Sequence, residues 1–292
     1  MSGALLALGA AAMLGLNTAV VRRSMLRASA YNGIVITILL SVPLFVLLAL
    51  VTGQLTRIDG FTGIQYGALA VGGILNFLGG RFSQFLAVQA MGANLTSPVR
   101  VLSGLVGAVF GITLLGEQVG LLRGAGIALL IVAPLVAFAR PPTVRLGSLQ
   151  IARGILFGLT AAATYGGSTV LLRWALEDSG LTMLGGLVAF GAAALLLVPS
   201  LALPGRLQGL LEVDRTAVKL FVAVTVMMAL AQVLRFAALE SADAAVVAPL
   251  TETMAFFGVG FAFLLNRDTE AFNPLVLLGI VLAAAGAVAI TL

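Results

Sequence analysis

Ten stretches of about 20 mostly apolar residues follow one another along this chain, and no break between them exceeds about a dozen residues. They fall at about 3–21, 31–52, 65–89, 93–115, 119–139, 149–173, 182–203, 217–239, 243–265 and 274–291. Each is long enough to cross the hydrocarbon of a bilayer as a helix. The breaks leave no room for a folded domain outside the membrane. Charged residues make up 9% of the 292, against roughly 25% in soluble domains, so a water-facing surface cannot be assembled from them. Thr52-Gly53, Arg140-Pro141-Pro142, Pro204-Gly205 and Asn273-Pro274 supply turn chemistry between the runs. A β-barrel would alternate polar and apolar residues, and stretches such as 34–50 do not. The first run has Arg22, Arg23 and Arg27 after it rather than a basic start before it, which reads as a retained helix, not a cleaved leader.

The pattern is written twice. At an offset of about 150, Ala11, Ala12, Thr18, Val20, Arg23 and Leu26 fall on Ala161, Ala162, Ser168, Val170, Arg173 and Leu176. At 151, Phe85, Gln89, Ala93, Pro98, Gly107 and Phe110 fall on Phe236, Glu240, Ala244, Pro249, Gly258 and Phe261. The expected fold is an all-α membrane protein of ten transmembrane helices, built as two inverted five-helix repeats, 1–146 and 147–292. An odd number of spans per repeat forces the second copy into the membrane upside down. Loops after odd-numbered spans hold Arg22, Arg23, Arg27, Arg140, Arg145, Arg153, Arg206, Arg215, Lys219 and Arg267; the other side holds Arg57, Arg123, Arg173 and Arg235. The positive-inside rule then puts both termini outside the cytoplasm. The pI of about 10.7 reflects these loops and is not a nucleic-acid footprint. Inverted repeats are the signature of secondary transporters with a site near the midplane.

Between the fourth and fifth runs stands Leu114-Leu115-Gly116-Glu117-Gln118-Val119-Gly120, leading into Gly124-Ala125-Gly126. With ten helices in two halves, this resembles the drug/metabolite transporter superfamily of EamA type, which passes from Glu to Gly at that place. The second-half counterpart departs: Asn266-Arg267-Asp268-Thr269-Glu270 precedes Gly279 with no Gly-Glu pair. The resemblance covers nearly the whole chain and is greatest toward the YddG-type amino-acid exporters. It implies an inner-membrane carrier, monomer or homodimer, that exports small metabolites. Spans five and ten, with Ala283, Ala284, Ala285 and Gly286 forming a smooth face, are then supporting or dimer-contact helices.

A charge at the bilayer centre costs about 2.5–3.5 kcal/mol on insertion scales, so deep polar residues are the candidate site. Glu252 lies midway along span nine, Arg81 past the middle of span three, Arg100 two residues after Pro98 in span four, and Arg235 near the end of span eight. Arg100 and Glu252 occupy nearly equivalent repeat positions and are candidates to pair structurally; Arg81 and Arg235 are candidates to snorkel. Thr225, Met228, Gln232 and Arg235 form one stripe of span eight, and Thr160, Thr164 and Ser168 another on span six beside Tyr165. Asn76, Gly80, Ser83 and Gln84 mark span three, and Asn17 marks span one. Amides rarely face lipid, so these stripes are expected to face inside. The expected substrate-binding set is Asn17, Asn76, Phe77, Arg81, Gln84, Arg100, Tyr165, Ser168, Gln232, Arg235 and Glu252. Pro98 and Pro249 break a backbone bond at equivalent places and are candidate hinges or static kinks. The glycines of spans three and four are expected to serve close packing.

Chemistry is narrowed by what the sequence omits. The chain has no Cys and no His, which removes disulfides, thiolate zinc, His-ligated metals and Ser-His catalysis. No Asp lies mid-span, so an intramembrane aspartyl enzyme is not encoded. Gly67-Ala68-Leu69-Ala70-Val71-Gly72 is not followed by Lys-Ser/Thr and is no phosphate loop. No metal, cofactor or nucleic-acid partner is expected. A scaffold would leave the polar interior unexplained, and no filter-like segment suggests a channel. Three deep arginines against one glutamate favour a ligand carrying a carboxylate, such as an amino acid whose ammonium meets Glu252 or an amide oxygen. Phe77, Tyr165, Phe256 and Phe257 are the available aromatic walls. Glu252 is the one deep carboxylate that could carry a proton. Export rests on the resemblance alone.

Overall fold

The computed structural model describes residues 2–25, 28–91, 93–116, 119–137, 139 and 148–265, with 275, 278, 279, 281, 282, 285, 286 and 289 in the last run. Within these helices some side chains, including those of Pro98 and Arg100, lie outside the described set. The elements in order are α1 (Ser2–Met25), α2 (Ala30–Val51), α3 (Gly63–Gly73), a π-helical segment (Ile74–Gly80), α4 (Arg81–Met91), α5 (Ala93–Leu115) and α6 (Leu121–Ala137). The second half continues with α7 (Ser148–Leu176), α8 (Thr182–Leu197) with a 3₁₀ extension (Val198–Ala202), the short α9 (Arg206–Leu211), α10 (Arg215–Ser241), α11 (Ala244–Glu252) and α12 (Met254–Leu265). No strand occurs among the described residues.

Local chemistry sets several helix starts. Ser29 accepts from the Asn32 backbone at the head of α2, Thr62 and Gln65 form a reciprocal capping box on α3, and Asp214 accepts from Thr216 at the head of α10. Four helices, 31–51, 149–176, 182–202 and 215–241, are by themselves long and apolar enough to cross a membrane. Other spans are shorter as apolar helices or carry interruptions. Span three is not one continuous α-helix: it widens into the π segment. Span nine breaks at Thr253, whose backbone and hydroxyl both turn back onto the Leu250 carbonyl. That break falls past Pro249, which stays inside α11. The tenth run is described only at scattered helical positions.

Helix pairing repeats the duplication. α1 packs on α10 and α12, and its counterpart α7 packs on α4 and α5. α2 packs on α10 as α8 packs on α3, while α2–α8 and α5–α11 join equivalent helices of the two halves. The inversion is visible at one end of the bundle. Gly3 at the start of α1 lies against Ser241 and Ala242, and Arg173 near the end of α7 reaches the Leu239 and Glu240 carbonyls. Equivalent helices of the two repeats therefore run in opposite directions.

In lipid, helices associate by close packing rather than by the hydrophobic effect. A Cβ on Gly107 would come within 2.5 Å of the Ala248 Cβ, and one on Gly166 within 2.8 Å of the Gly107 nitrogen, so α5, α7 and α11 meet only because these positions are glycine. Phe45, Phe77 and Phe190 fill the interior between α2, span three and α8, with Phe77 stacked on Phe190 at 3.8 Å. Leu47, Leu195, Val226 and many other large apolar side chains point outward, the surface of a chain solvated by lipid. Gly286 of the last run lies against Gly126 and Leu130, joining spans five and ten within the chain.

Candidate functional site

The polar residues of the interior are carried by the irregular part of span three and by α7, α10 and α11. The π segment forms where Gly73 lies directly on the Ala189 backbone, Gly79 meets Thr164 and Gly80 meets the Tyr165 ring. A ring this close leaves no room for a side chain at Gly80. Such wide turns concentrate at functional positions. Within it Asn76 is buried and donates to the Ser168 hydroxyl at 3.0 Å, which in turn donates to the Tyr165 carbonyl at 2.7 Å.

Arg81 follows at the first turn of α4. Its Nη1 donates to the Thr37 hydroxyl at 3.2 Å, and its guanidinium carbon lies 6.0 Å from the Phe77 ring centroid. Its Nη2 is shut off from the surface and has no hydrogen-bond partner among the described residues. One turn on, Gln84 Oε1 is in the same condition. On α10, Thr225, Gln232 and Arg235 are buried, so this stripe does face inward. Arg235 donates to the Thr169 hydroxyl at 2.6 Å and lies within electrostatic reach of Glu252 and Tyr165. Glu252 is buried and accepts from the Ser103 hydroxyl at 2.7 Å. Gln232 directs Nε2 to the Met228 sulfur at 3.8 Å, and its Oε1 is buried without a partner among the described residues. Tyr165 is the common neighbour: both guanidiniums feel it.

Of the expected site residues, the fold thus gathers Arg81, Tyr165, Arg235 and Glu252 around α7. Asn17 is engaged elsewhere, donating to the Val224 carbonyl at 2.7 Å and pinning α1 to α10. Phe77 is fully buried against Phe190. Of the other aromatic walls, Phe256 is half-buried and Phe257 is exposed, packing on Gly15. The side chains of Arg100 and Pro98 lie outside the described residues, while Pro249 packs on Gly104. Thr37, Thr169 and Ser103, which hold the three charged groups, carry no mark in the sequence beyond being hydroxyls inside apolar spans.

One relation is present in the sequence and easily passed over. The offset of 151 that aligns Phe85 with Phe236 also aligns Arg81 with Gln232 and Gln84 with Arg235. Each half therefore carries one arginine and one glutamine a turn apart, in exchanged order.

A second ionic cluster closes the end of the bundle. Arg173, expected from the sequence to lie in a loop, is buried in the last turn of α7. Its Nη1 donates to the Leu239 and Glu240 carbonyls at 2.8 and 2.9 Å, and its Nη2 to Glu177 at 2.6 Å. Asp243 stands 3.9 Å from Arg173 and 4.0 Å from Arg123. The Glu240 carboxylate accepts from the Gly180 backbone at 2.8 Å and from the Thr182 hydroxyl, and Gln54 caps α8 through the Met183 and Leu184 backbones. Among the described residues no three carboxylates converge as a metal site would require.

Two interlocked copies of a helical unit, apolar outside and polar within, define a multi-pass membrane protein. The EamA-like transporter family matches residues 1–139 and 152–292, and the chain belongs to that family, one of transporters rather than enzymes. A solved structure described only as "Crystal structure of protein" superposes with a TM-score of 0.80 over 99% of this chain and 96% of its own, at 16% identity. That likeness concerns the fold. No curated protein matches the chain in sequence.

Proposed function

We propose that the chain is a secondary transporter for small carboxylate-bearing solutes, foremost amino acids, working as a YddG-type exporter of the inner membrane with both termini outside the cytoplasm. The halves 1–146 and 147–292 rock about the polar centre, with Pro98 and Pro249 as hinge positions. Arg81 is the anchor for the substrate carboxylate, and Arg235, Glu252 and Tyr165 complete the centre. The observation that carries this reading is the Arg81 Nη2, a buried charged donor without a partner among the described residues. An unmet donor of this kind is costly in apolar surroundings and is the counterpart of a carboxylate oxygen. Arg235 supports the same assignment by contrast, since Thr169 and Glu252 already attend to it.

The test is counterflow of labelled neutral amino acids in proteoliposomes with no imposed ion gradient. Saturable uptake driven by internal unlabelled substrate is expected, and it should vanish in Arg81→Gln. Lack of uptake across a broad neutral amino-acid panel would reassign the carrier to another carboxylate-bearing or phosphorylated metabolite.

A further inference from the structure

We infer that Gln232, through Oε1, is the acceptor for the substrate's ammonium group and sets selectivity for amino acids over the corresponding carboxylic acids. The inference rests on the carrier reading given above and assigns the half of the substrate that Arg81 does not explain.

Gln232 is 3% exposed and sits one turn before Arg235 on the inward stripe of α10. Its amide has a defined orientation. A thioether sulfur accepts hydrogen bonds and cannot donate them, so Met228 at 3.8 Å selects the amide nitrogen as its neighbour. Oε1 is left without a partner among the described residues. Arg235, the nearest cation along the helix, donates to Thr169 instead.

Among the described residues, the open hydrogen-bonding capacity of the centre includes one charged donor at Arg81 and two amide acceptors at Gln84 and Gln232. A carboxylate offers only acceptors and an ammonium only donors, so an α-amino acid complements the set with its two ends. A dicarboxylate or a phosphate would bring anionic oxygens against amide oxygens. A simple amine would bring a cation toward Arg81. Glu252, the acidic candidate for the ammonium, accepts from Ser103 and lies within reach of Arg235, so its charge is directed at the protein's own cation. Gln232 is favoured over Gln84 because it is buried, while Gln84 is half-buried. The exchange across the repeats supports the same division, since Gln232 stands where the first half places Arg81.

The experiment uses the full chain in proteoliposomes. Counterflow of one labelled neutral amino acid is competed by the same amino acid and by its deaminated carboxylic acid. For the wild type, the amino acid should compete about 10-fold better or more, the effect of losing one buried hydrogen bond to a charged group. Gln232→Met keeps length and removes the acceptor: competition by the amino acid should weaken about 10-fold while that of the carboxylic acid is unchanged. Met228→Leu releases the amide without removing it, and should reduce selectivity by a smaller factor. It also serves if Gln232→Met does not fold. Selectivity retained in the variants, or both competitors weakened equally, overturns the inference while leaving the transporter assignment intact. A wild type that carries no amino acid overturns the function proposed above, and this inference with it.

Discussion

Among the guanidiniums inside this bundle, those of Arg173 and Arg81 are treated in opposite ways by the helices around them. Around Arg173, two carbonyls from the last turn of α10, Glu177 and Asp243 converge; the Glu240 carbonyl also accepts from the Asp178 backbone at 3.4 Å. The positive charge also suits the negative end of that helix. Around Arg81, among the described residues, there is one hydroxyl, a distant aromatic face, Tyr165 within electrostatic reach and an unmet nitrogen. The first environment is complete without anything from outside the chain. The second leaves a charged donor unmet among the described residues. A buried charge is therefore informative through what it lacks more than through its burial.

Substitutions at the two sites separate the roles. The largest effect on stability is expected at Arg173: alanine there removes the charged hydrogen bonds to the Leu239 and Glu240 carbonyls, with little added by the partly exposed Glu177 and Asp243, and should lower the unfolding free energy by about 3 kcal/mol. A fall in the thermal midpoint of the detergent-solubilised protein reads this out, and Arg173→Lys should rescue little, because an ammonium lacks the fork that spans these partners. If alanine leaves the midpoint unchanged, the contrast dissolves. At Arg81 the balance should reverse. Arg81→Met is expected to cut counterflow by about 100-fold, or about 2.7 kcal/mol, with the midpoint unchanged or raised. Measuring both quantities on one preparation distinguishes a binding group from a fastener. Glu252→Gln sharpens the middle case: it keeps an acceptor for Ser103 and removes the charge near Arg235, and should slow transport by about 10-fold. If Glu252 also carries a proton, the variant should lose any response to an imposed pH gradient while retaining exchange. The smallest effect is expected from Ser103→Ala, about 1 kcal/mol of stability, checked by the same thermal assay.

Much of the fold is legible in the sequence because lipid imposes simple demands. A run must be apolar and about 20 residues long, and nine of the expected runs coincide with described helical segments. The turn chemistry at Thr62, Asp214 and Ser29 is equally local. What escapes depends on partners distant in sequence. The π segment exists where Gly73, Gly79 and Gly80 meet Ala189, Thr164 and Tyr165, all from the other half. The break in span nine falls at Thr253, a residue with no special standing as a helix breaker, while Pro249 draws the eye. Arg173 reads as a loop residue because Glu177 and Asp178 follow it, whereas its carbonyl acceptors stand 66 and 67 positions away. Inward stripes were visible through amide spacing, but which of those amides are spent on packing, as Asn17 and Asn76 are, depends on carbonyls and hydroxyls of neighbouring helices. The matched arginines and glutamines escape for another reason: an Arg that falls on a Gln is not an identity between the repeats.

That exchange gives the duplicated scaffold a polarity. Two inverted copies with the same residues would present the same surroundings to a passenger from either face of the membrane. Here Arg81 answers Gln232 and Gln84 answers Arg235, so the charge is not copied with the helix. A passenger with unlike ends would have a head and a tail direction in such a site. It would leave toward one compartment with one end leading, and toward the other compartment with the opposite end leading. Inward and outward traffic would thus be chemically different journeys through a frame that is nearly the same from both sides.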